Sequence, residues 1–508
     1  MERQADVVVV GFGAAGACAA LEAVANRRSV IIVERFTGGG ATALSGGVVY
    51  AGGGTAQQRA AGVVDTAEAM RDYLRGEVGD AVTEDTLREF CDGSTQMLTW
   101  LEGHGVPFEG SLCPDKTSYP SNKHYLYYSG SELSAGGQPA PRGHRAKGRG
   151  TSGRVLHARL SAAVRAAGVQ VRTQTRVTGL ITEDGRVTGV ECLTLRGRVP
   201  RLAHALLYRW SRKPLLYLPR LGRLALRPLG ALERRFAVPT RIHATRGVVL
   251  ASGGFGGNRA LLREHAPTSR GGLPLATAGD DGAGIRLGTS AGGATRFLDR
   301  VSMWRFLTPP PVFARGILVG PDGKRICDES RYGAAIGDAV AAAGGKAWLL
   351  VDAATVALAK RQLRGPVLWF QRLQGFYLLL TRATEPTVMG VAVRAGVDPH
   401  GLAVTVEEYN AASPDAFGKP GVVPLETPPY SLIDCSIRPR PFYPTPVLTL
   451  GGLVVSESTG QVLRADGTPV AGLYAAGRTA AGLCSSSYVS GLSIADCVFS
   501  GRRAGRSA

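Results

Sequence analysis

Residues 6–23 have the sequence DVVVVGFGAAGACAALEA, and this stretch decides the fold of the amino-terminal region. A run of valines comes first, Gly11, Gly13 and Gly16 follow, and an alanine-rich helical pattern continues from them. Gly11 permits a tight turn, Gly13 lets the backbone approach a pyrophosphate, and Gly16 lets the helix pack closely against the strand. The stretch therefore predicts a strand, a turn and a helix whose amino end binds phosphate.

The next segment, SVIIVE, predicts a second strand that ends at Glu34. A carboxylate at the end of this strand can accept hydrogen bonds from the ribose hydroxyls of adenosine. The apolar stretch could also be taken for the core of a signal peptide, but Asp6 precedes it and the spaced glycines interrupt it. The order of strand, glycine turn, helix, strand and acid favours a first βαβ unit that binds a dinucleotide.

The choice between NAD and FAD depends on the residues beyond Glu34. The loop RFTGGGATALSGG is a second segment rich in glycine and hydroxyl groups, which a nicotinamide domain does not need. FAD is longer and lies across a domain assembled from distant segments. Further candidates are a β-hairpin that turns at Asp184 and Gly185, a strand that enters a glycine turn in RGVVLASGGFGGN, and another in GLYAAGR. Their order along the chain favours FAD.

The chain of 508 residues is long enough for two large domains or about three smaller ones, and its net charge of +19 is unevenly distributed. Residues 196–241 carry twelve Lys or Arg residues and a single acid, Glu233, and so contribute +11 of that charge. This concentration argues against nucleic-acid binding. The same segment interleaves Leu, Tyr and Trp with Arg, which indicates either an amphipathic insert that rests on anionic lipid or a basic, partly helical loop packed on its own domain.

The eight cysteines are scattered without CxxC spacing and without histidines at metal-binding distances along the chain. This pattern fits a reduced, cytoplasmic location and predicts no metal site. Peripheral membrane association through residues 195–241 would be an addition to that location. No apolar run in the sequence reaches the roughly 18 residues that a transmembrane helix needs.

Several motifs together resemble the flavoprotein family of fumarate reductases and 3-ketosteroid dehydrogenases. They are GFGAAG with Glu34, GGATALSGG, ASGGFGGN, GDDGAGIRLG, GKRICDESRYG and AAGRTAAG with YVSGLSIADCVFSGRRAG. The resemblance covers nearly the whole chain apart from residues 195–241. The ending is most similar to that of the 3-ketosteroid Δ4-(5α)-dehydrogenases.

This resemblance implies an α/β fold with an α+β cap. A Rossmann-like FAD-binding domain would be assembled from residues 1–273, which include the insert 195–241, and residues 437–508. A substrate or cap domain would occupy residues 274–436. The predicted cofactor-binding residues are Gly11, Gly13, Ala14, Ala15, Gly16, Glu34, Arg35, Gly40, Ala41, Thr42, Ser45, Gly46, Gly47, Val177, Ser252, Gly253, Asp281, Gly477, Arg478, Leu492 and Ser493.

The closing motif carries the predicted chemistry. Gly491 begins a helical pattern, and the resemblance places its amino end, with the amides of Leu492 and Ser493, against the flavin N1 and C2 carbonyl. Tyr488 and Ser490 precede it on an extended turn, where alternation points both side chains the same way. A phenol is a poor base at neutral pH unless its phenolate is stabilised, and Ser490 and the helix dipole are expected to do this.

The reaction implied is removal of a proton from C4 of a 3-ketosteroid by Tyr488 while C5 delivers hydride to flavin N5. The resemblance matches Tyr332 to an active-site tyrosine of the cap domain. Which of the two tyrosines polarises the ketone and which abstracts the proton is left open. The stretch SYPSNKHYLYYSG, with Tyr119, Tyr125, Tyr127 and Tyr128, is interpreted as a surface loop held by its own rings rather than a lid, and is left out of the catalytic set.

Family histidines that hold dicarboxylates are missing from the corresponding stretches SMWRFLTPP and PTPVLTLGGL. The first histidine is His104, far along the chain from the second glycine loop, so we expect noncovalent FAD. GGFGGN lacks a correctly placed acid, which favours a diffusible acceptor or quinone over NAD(P). The expected substrate is a hydrophobic, steroid-like molecule.

Three function classes are compatible with these features. The first is a 3-ketosteroid dehydrogenase, with 4-ene formation favoured over the Δ1 reaction because the ending is YVSG. The second is a flavin-dependent reductase of another activated alkene. The third is a membrane-associated flavoprotein that only binds or transfers electrons, for which Tyr488, Ser490 and Tyr332 would serve no purpose.

Overall fold

The structure is a computed structural model, and it describes residues 2–134, 138–217, 219–269, 272–411, 414–440 and 442–508. Its largest sheet has eight strands. These strands are Glu2–Val10, Val30–Val33, Gln170–Arg172, Thr175–Glu183, Arg186–Leu195, Ala237–Leu250, Gln461–Leu463 and Pro469–Ala475.

The strand Glu2–Val10 lies at the centre of this sheet. It pairs in parallel with Val30–Val33 on one side and with Ala237–Leu250 on the other, with Val8 opposite Ile31 and Val248. The strand Pro469–Ala475 then pairs in parallel with Ala237–Leu250, so segments from both ends of the chain form one sheet. Both faces of the sheet are covered, which explains why the valine run is apolar without alternation. The predicted Rossmann-like domain assembled from amino- and carboxyl-terminal segments is confirmed.

The predicted β-hairpin is also confirmed. Thr175–Glu183 and Arg186–Leu195 pair antiparallel, and the turn residues Asp184 and Gly185 have φ values of 49° and 76°. Positive φ at both turn positions is typical of the two-residue turn that suits the twist of a hairpin. The second hairpin strand joins the main sheet by pairing with Ala237–Leu250.

An alanine-rich helix and the closing helix, which contains two glycines, bring the two chain ends together. The nucleotide helix Ala14–Ala25 packs along the closing helix Leu492–Ser507. A Cβ on Gly501 would stand 2.5 Å from the carbonyl oxygen of Ala15, so only glycine permits this approach of the two backbones. The closing motif therefore reaches the first glycine turn, although nearly five hundred residues separate them in the chain.

The cap region has its own antiparallel sheet of four strands, Ile317–Val319, Trp348–Val351, Tyr430–Asp434 and Ala383–Glu385. Alternate residues of these strands enter two separate apolar clusters, one on each face. The helices around it are Gly333–Ala342, Ala353–Arg364, Trp369–Leu380, Val388–Ala395 and Pro399–Ala411.

Shorter elements surround the two sheets. The remaining strands are Val48–Tyr50, Leu126–Tyr127, Gly143–Arg145, Leu273–Pro274, Thr295–Arg296, Val301–Met303, Pro446–Thr449 and Gly452–Leu453. The remaining α-helices outside the insert are Gly40–Leu44, Ala56–Ala60, Ala67–Val78, Glu84–Asp92, Ser94–Gly103, Gly153–Ala166, Arg259–His265 and Ala283–Ser290. Short 3-10 turns occur at Pro267–Ser269, Pro311–Arg315 and Gly477–Thr479.

The basic insert consists of two helices, Arg198–Tyr217 and Pro219–Phe236, which pack against each other. One face of the first helix is buried at His204, Tyr208 and Ser211, so the insert packs on the domain that carries it. Within the described ranges, no helix of the protein combines the length and the hydropathy that crossing a bilayer requires.

Candidate functional site

A cavity of about 500 Å³ extends between the main sheet, the cap and the closing motif. Most of the residues predicted for the site border it. Those that line the cavity are Gly11, Gly13, Ala14, Ala15, Glu34, Arg35, Gly40, Ala41, Thr42, Ser45, Gly46, Gly47, Val177, Ser252, Gly253, Asp281, Tyr332, Arg478, Tyr488, Ser490 and Ser493.

Three predicted residues do not line the cavity. Gly16 packs on the first strand, where a Cβ would stand 2.0 Å from the carbonyl oxygen of Gly11. Gly477 lies under the closing helix, where a Cβ would meet Cys497, and its amide donates to Ser500 Oγ at 2.9 Å. The amide of Leu492 donates to the carbonyl oxygen of Val489 at 3.0 Å, so it is already satisfied within the turn. The first two are packing positions, and only Ser493 of the predicted amide pair faces the cavity.

The glycine turn and the acid after the second strand form one end of the cavity. Glu34 Oε2 accepts a hydrogen bond from the Phe12 amide at 2.9 Å, and Oε1 accepts one from the Phe36 amide at 2.8 Å. Burial raises the pKa of Glu34, and these two hydrogen bonds oppose the rise. Both oxygens keep a free lone pair, so the carboxylate is held in position to accept further hydrogen bonds from hydroxyl groups.

The second glycine loop lies beside this end. The Thr42 hydroxyl accepts a hydrogen bond from the Ala14 amide at 3.0 Å, which ties the loop to the first turn of the nucleotide helix. Gly40 borders the cavity, and a Cβ placed on it would meet no protein atom within 4 Å. Backbone thus surrounds open space at the amino end of a helix, which suits an extended diphosphate.

Among the residues that the structure describes, the charged side chains of the cavity wall lie at this nucleotide end. Its cations are Arg35, Arg176 and Arg478, and each lies within 4 Å of a carboxylate. Arg478 is 2.8 Å from Asp280, and Arg35 is 3.2 Å from Asp281 and 3.0 Å from Glu233. These arginines are therefore engaged by protein carboxylates and are not free to hold an acidic substrate.

The other end of the cavity is aromatic. Four rings that line it form a closed circuit, with centroid distances of 4.6 Å between Trp304 and Tyr488, 5.7 Å between Trp304 and Phe306, 5.7 Å between Phe306 and Tyr332, and 6.3 Å between Tyr332 and Tyr488. Trp304 and Phe306 were not predicted from the sequence. They lie two apart directly after a strand, a spacing that puts both side chains on one face and could have identified them.

Ser490 connects this aromatic end to a buried tyrosine. Its Oγ lies 3.2 Å from the hydroxyl of Tyr127, and the Ser490 side chain partly opposes the rise that burial causes in the pKa of Tyr332. Tyr127 is fully buried, so the expectation that its stretch is a surface loop is wrong for this residue. In the same stretch the Tyr119 hydroxyl donates to the carbonyl oxygen of Gly46 at 2.7 Å, and Tyr119 lines the cavity. Nothing local in the sequence indicated these contacts.

Both tyrosines of the aromatic end, Tyr332 and Tyr488, hold their protons tightly. Burial raises the pKa of Tyr488, and burial raises the pKa of Tyr332 although a hydrogen bond with Ser490 opposes the rise. The expectation that Ser490 lowers the pKa of Tyr488 is therefore wrong, and the serine hydroxyl lies 3.2 Å from that of Tyr127 instead. The two phenols are neutral hydrogen-bond donors at neutral pH.

Folding brings a histidine next to the second glycine loop. His157 packs beside Gly38 and Gly39, but its Nε2 lies 3.0 Å from the carbonyl oxygen of Phe12 and its ring packs against Phe12. His157 is not among the residues that line the cavity. Within the described ranges, no group of three or more His, Cys, Asp or Glu residues is arranged to hold a metal ion.

The residues present fit FAD. The ordered acid and the open glycine loops suit the adenosine and diphosphate, and the aromatic end leaves room beside the closing helix for a flat ring system. The model for the FAD binding domain family matches residues 6–491. The chain belongs to this flavoprotein family. The cofactor is FAD, and the protein is an oxidoreductase of the FAD-binding fold.

Several named proteins of this kind are similar over most of the chain. A 3-oxo-5-alpha-steroid 4-dehydrogenase of Comamonas testosteroni is 38% identical over 496 residues, which cover 93% of this chain and 92% of that protein. A 3-oxosteroid 1-dehydrogenase of Mycobacterium tuberculosis is 27% identical, over 96% of this chain and 94% of that protein. The crystal structure of a 3-ketosteroid-delta4-(5alpha)-dehydrogenase from Rhodococcus jostii RHA1, in complex with 4-androstene-3,17-dione, has a TM-score of 0.82 and 30% identity, and the match covers 99% of this chain and 96% of that chain.

Proposed function

We propose that this flavoprotein desaturates a 3-ketosteroid between C4 and C5. The observation that carries the proposal is that Tyr332, Tyr488 and Ser490 line the same cavity as the FAD-binding segments, at its aromatic end. The names of the Comamonas and Rhodococcus relatives support the same bond, and the ligand of the Rhodococcus structure is a steroid with a 3-ketone.

The reaction removes two hydrogens and forms one double bond. A proton leaves C4, which the neighbouring ketone acidifies, and the electron pair of that C–H bond becomes the new π bond as hydride leaves C5. The chemistry that FAD would supply when bound is that of a two-electron acceptor for this hydride. The protein has to bind an apolar ring system, donate a hydrogen bond to the ketone oxygen and carry away one proton.

The contacts of the two tyrosines suggest different roles. The neighbours of the Tyr488 ring are the Trp304 and Tyr332 rings, and its neutral phenol suits donation to the ketone oxygen as enolate character grows. Tyr332 is instead the phenol whose pKa Ser490 lowers, and the Ser490 hydroxyl lies 3.2 Å from that of Tyr127. A neutral hydroxyl that takes up the C4 proton must pass on a proton of its own, so we assign removal of the C4 proton to Tyr332 and Ser490 acting as a relay, with solvent water as the final acceptor.

Two further observations favour an apolar substrate. The stretches SMWRFLTPP and PTPVLTLGGL, which carry no histidine, contribute Trp304, Phe306, Pro309, Pro446 and Leu448 to the cavity wall. Among the described residues, the cations of the cavity wall are arginines at its nucleotide end, and each is paired with a carboxylate there. A dicarboxylate such as fumarate would lose its hydration at the aromatic end and gain no charged partner there.

Two alternatives remain within the same cavity. A Δ1 reaction needs the same ketone donor and flavin, but it removes hydrogens from C1 and C2 on the other side of the ketone. A reductase of another activated alkene would run the same hydride transfer in reverse. The names of the Δ4 relatives are what favours the C4–C5 bond over the Δ1 reaction.

The test is turnover by the purified holoprotein. Incubation with a saturated 5α-3-ketosteroid and an electron-accepting dye should bleach the dye and yield a conjugated 4-ene-3-ketone. Fumarate and a simple enone, offered with reduced dye, should be poor substrates. A 1-ene product would favour the Δ1 alternative, faster enone reduction would favour the reductase, and no turnover with any of them would contradict the proposal.

We further propose that FAD is held noncovalently and that its electrons pass to a diffusible acceptor or quinone. The glycine turn at Gly253 supports transfer to such an acceptor rather than to NAD(P). The acid beside this turn is Asp280, which already pairs with Arg478 and so is not free to bind the ribose of a second nucleotide. Acid precipitation should release free yellow FAD. A quinone analogue should reoxidise the reduced protein faster than NAD⁺ or NADP⁺.

We propose a cytoplasmic location, which the eight unpaired cysteines support. We also propose the domain boundaries 1–273, 274–436 and 437–508. Limited proteolysis of the holoprotein tests these boundaries, since cuts should fall near residues 273 and 437 before they fall within either part.

Peripheral membrane contact through the insert is proposed as a way to collect a lipophilic substrate. An exposed apolar stripe follows one face of its first helix at Val199, Leu202, Leu206 and Trp210, and Trp210 is 74% exposed. Arginines surround this stripe, which suits an interface of anionic lipid headgroups. We expect binding to vesicles that contain anionic lipid and weak binding to neutral ones.

The control for this contact is a tryptophan of equal exposure on the cap. Trp369 is also 74% exposed and begins the helix Trp369–Leu380, which presents further apolar side chains to solvent. Trp210→Glu should lower cosedimentation with anionic vesicles, and Trp369→Glu should leave it unchanged. The reverse result would indicate that the cap, and not the insert, contacts the membrane. If neither variant changed cosedimentation, both faces would be excluded.

A further inference from the structure

The inner face of the insert borders the cofactor cavity. Tyr208 is 2% exposed and lines the cavity together with Glu34, Arg35 and Phe36. These three residues follow the second strand of the βαβ unit, where the adenosine part of a dinucleotide lies. The insert therefore meets the cofactor site at its nucleotide end, far from the aromatic end where Tyr488 lies.

The contact between Tyr208 and Phe36 is a parallel stack. The ring centroids are 4.2 Å apart and the ring planes differ by 6°, while the centroid of the His204 ring lies 5.9 Å from that of Phe36. Phe36 is 3% exposed, and its apolar neighbours in the insert are Tyr208, Leu229, Leu207 and Leu226. Two stacked rings at the cavity edge form a flat apolar wall of the kind that an adenine ring packs against.

Glu233, the single acid of the insert, also points to the nucleotide end of the cavity. Glu233 accepts two hydrogen bonds from the Arg35 guanidinium, each at 3.0 Å, and lies 3.3 Å from His204 Nε2. Burial alone would raise the pKa of Glu233, but the hydrogen bonds from His204 and Arg35 lower it to about 2. The carboxylate is therefore charged at neutral pH, and the bidentate geometry fixes the Arg35 side chain beside Glu34.

A second pair of contacts joins the insert to the hairpin side of the cavity. Gln174 donates to the carbonyl oxygen of Arg201 at 2.6 Å, and Arg201 donates back to the Gln174 side chain at 2.8 Å. Gln174 directly precedes the cavity residues Thr175, Arg176 and Val177. The insert thus holds both segments that border the adenosine end.

We propose that the insert is part of the cofactor site and closes the adenosine half of FAD against solvent. Tyr208 and Phe36 form the apolar wall against the adenosine, and Glu233 acts as a positioning residue through Arg35. This role depends only on FAD binding and not on the identity of the substrate. It also gives the insert a function that its outer face, with Trp210, does not serve.

The experiment compares FAD and FMN, because FMN lacks the adenosine half. The full-length protein is stripped of flavin and titrated with each flavin by fluorescence quenching. Tyr208→Leu keeps an apolar side chain on Phe36 but loses the stack, so the Kd for FAD should rise by about three- to tenfold while the Kd for FMN stays unchanged. Trp210→Leu, two residues away on the exposed face, should change neither.

Glu233 is tested by a double-mutant cycle for the Kd of FAD. Glu233→Gln and Arg35→Gln should each weaken FAD binding, and the double variant should be no weaker than the worse single one, since both act through one pair. An unchanged Kd for FAD in Tyr208→Leu, or an equal rise for FMN, would overturn the proposal. Additive effects of Glu233→Gln and Arg35→Gln would overturn the assigned role of Glu233.

Discussion

Replacing Tyr488 by phenylalanine removes one hydroxyl and leaves the aromatic end of the cavity in place. The Tyr488 ring lies 4.6 Å from the Trp304 ring and 6.3 Å from the Tyr332 ring, and phenylalanine keeps both contacts. The closing helix and the nucleotide end of the cavity are untouched, so folding and FAD binding should persist. The substitution removes the hydroxyl and with it the proposed hydrogen bond to the ketone oxygen. That bond strengthens as the oxygen gains negative charge.

Removal of one donor of this kind costs about 2.7–4 kcal/mol of transition-state stabilisation, or about 10²–10³-fold in rate. The assay is anaerobic reduction of the bound flavin by a 5α-3-ketosteroid, monitored as loss of yellow absorbance. The first-order rate should fall by about that factor in Tyr488→Phe, with a change in steroid affinity below about threefold. Because burial raises the pKa of Tyr488, the deficit should be the same at every pH from neutral to mildly alkaline.

Tyr488→Leu is the matched comparison, since it removes the stack on Trp304 as well as the hydroxyl. It should show the same loss in rate and, in addition, weaker steroid binding. A Tyr488→Phe variant that reduces its flavin at nearly the wild-type rate would refute the assignment of Tyr488 as the ketone donor. A deficit that disappears at high pH would instead indicate that a phenolate acts as the base.

Three further predictions concern the scaffold of the site. Gly11 has φ of +106°, and a Cβ there would stand 2.5 Å from a backbone carbonyl oxygen, so Gly11→Ala should purify with a much lower ratio of FAD to protein by absorbance. Asp65 and Arg142 form an ion pair at 2.7 Å with both side chains fully buried, so Asp65→Ala should lower the free energy of unfolding in urea by about 3–5 kcal/mol. Asp72→Ala, at an exposed position, should change it by less than about 0.5 kcal/mol. Burial lowers the pKa of His144 from 6.5 to about 4, so the unfolded chain takes up a proton first as the pH falls. The stability from neutral His144 is fully present above pH 6.5 and should decline by about 3 kcal/mol towards pH 4, and urea melts of His144→Gln should lack this decline.

The nucleotide end of the site was predictable because its signals are local. The valine run, the three glycines and Glu34 all fall within one βαβ unit, and each has a backbone reason that sequence alone can supply. The closing helix was predictable for the same reason, since Gly491 and the residues with helical spacing are adjacent. The choice of FAD over NAD depended on the order of the glycine-rich segments along the chain and on the resemblance, and the family match confirms it.

The aromatic end and the inner face of the insert were not predictable in this way. Tyr127 meets Ser490 across 363 residues, and Glu233 meets Arg35 across 198 residues, so no local pattern could connect them. The stack of Tyr208 on Phe36 depends on how the two insert helices dock on the sheet. Amphipathic spacing alone indicated that the insert has an apolar face, but not that one side of it covers the cofactor.

The most direct test of the central claim is to locate the hydrogen that reduces the flavin. A 5α-3-ketosteroid with deuterium at C5 should reduce the flavin of the holoprotein more slowly than the unlabelled steroid, and deuterium at C1 should have no effect. That result would establish that hydride leaves C5 as the double bond forms towards C4. Slower reduction with the C1 label and an unchanged rate with the C5 label would contradict the account and indicate a Δ1 dehydrogenase.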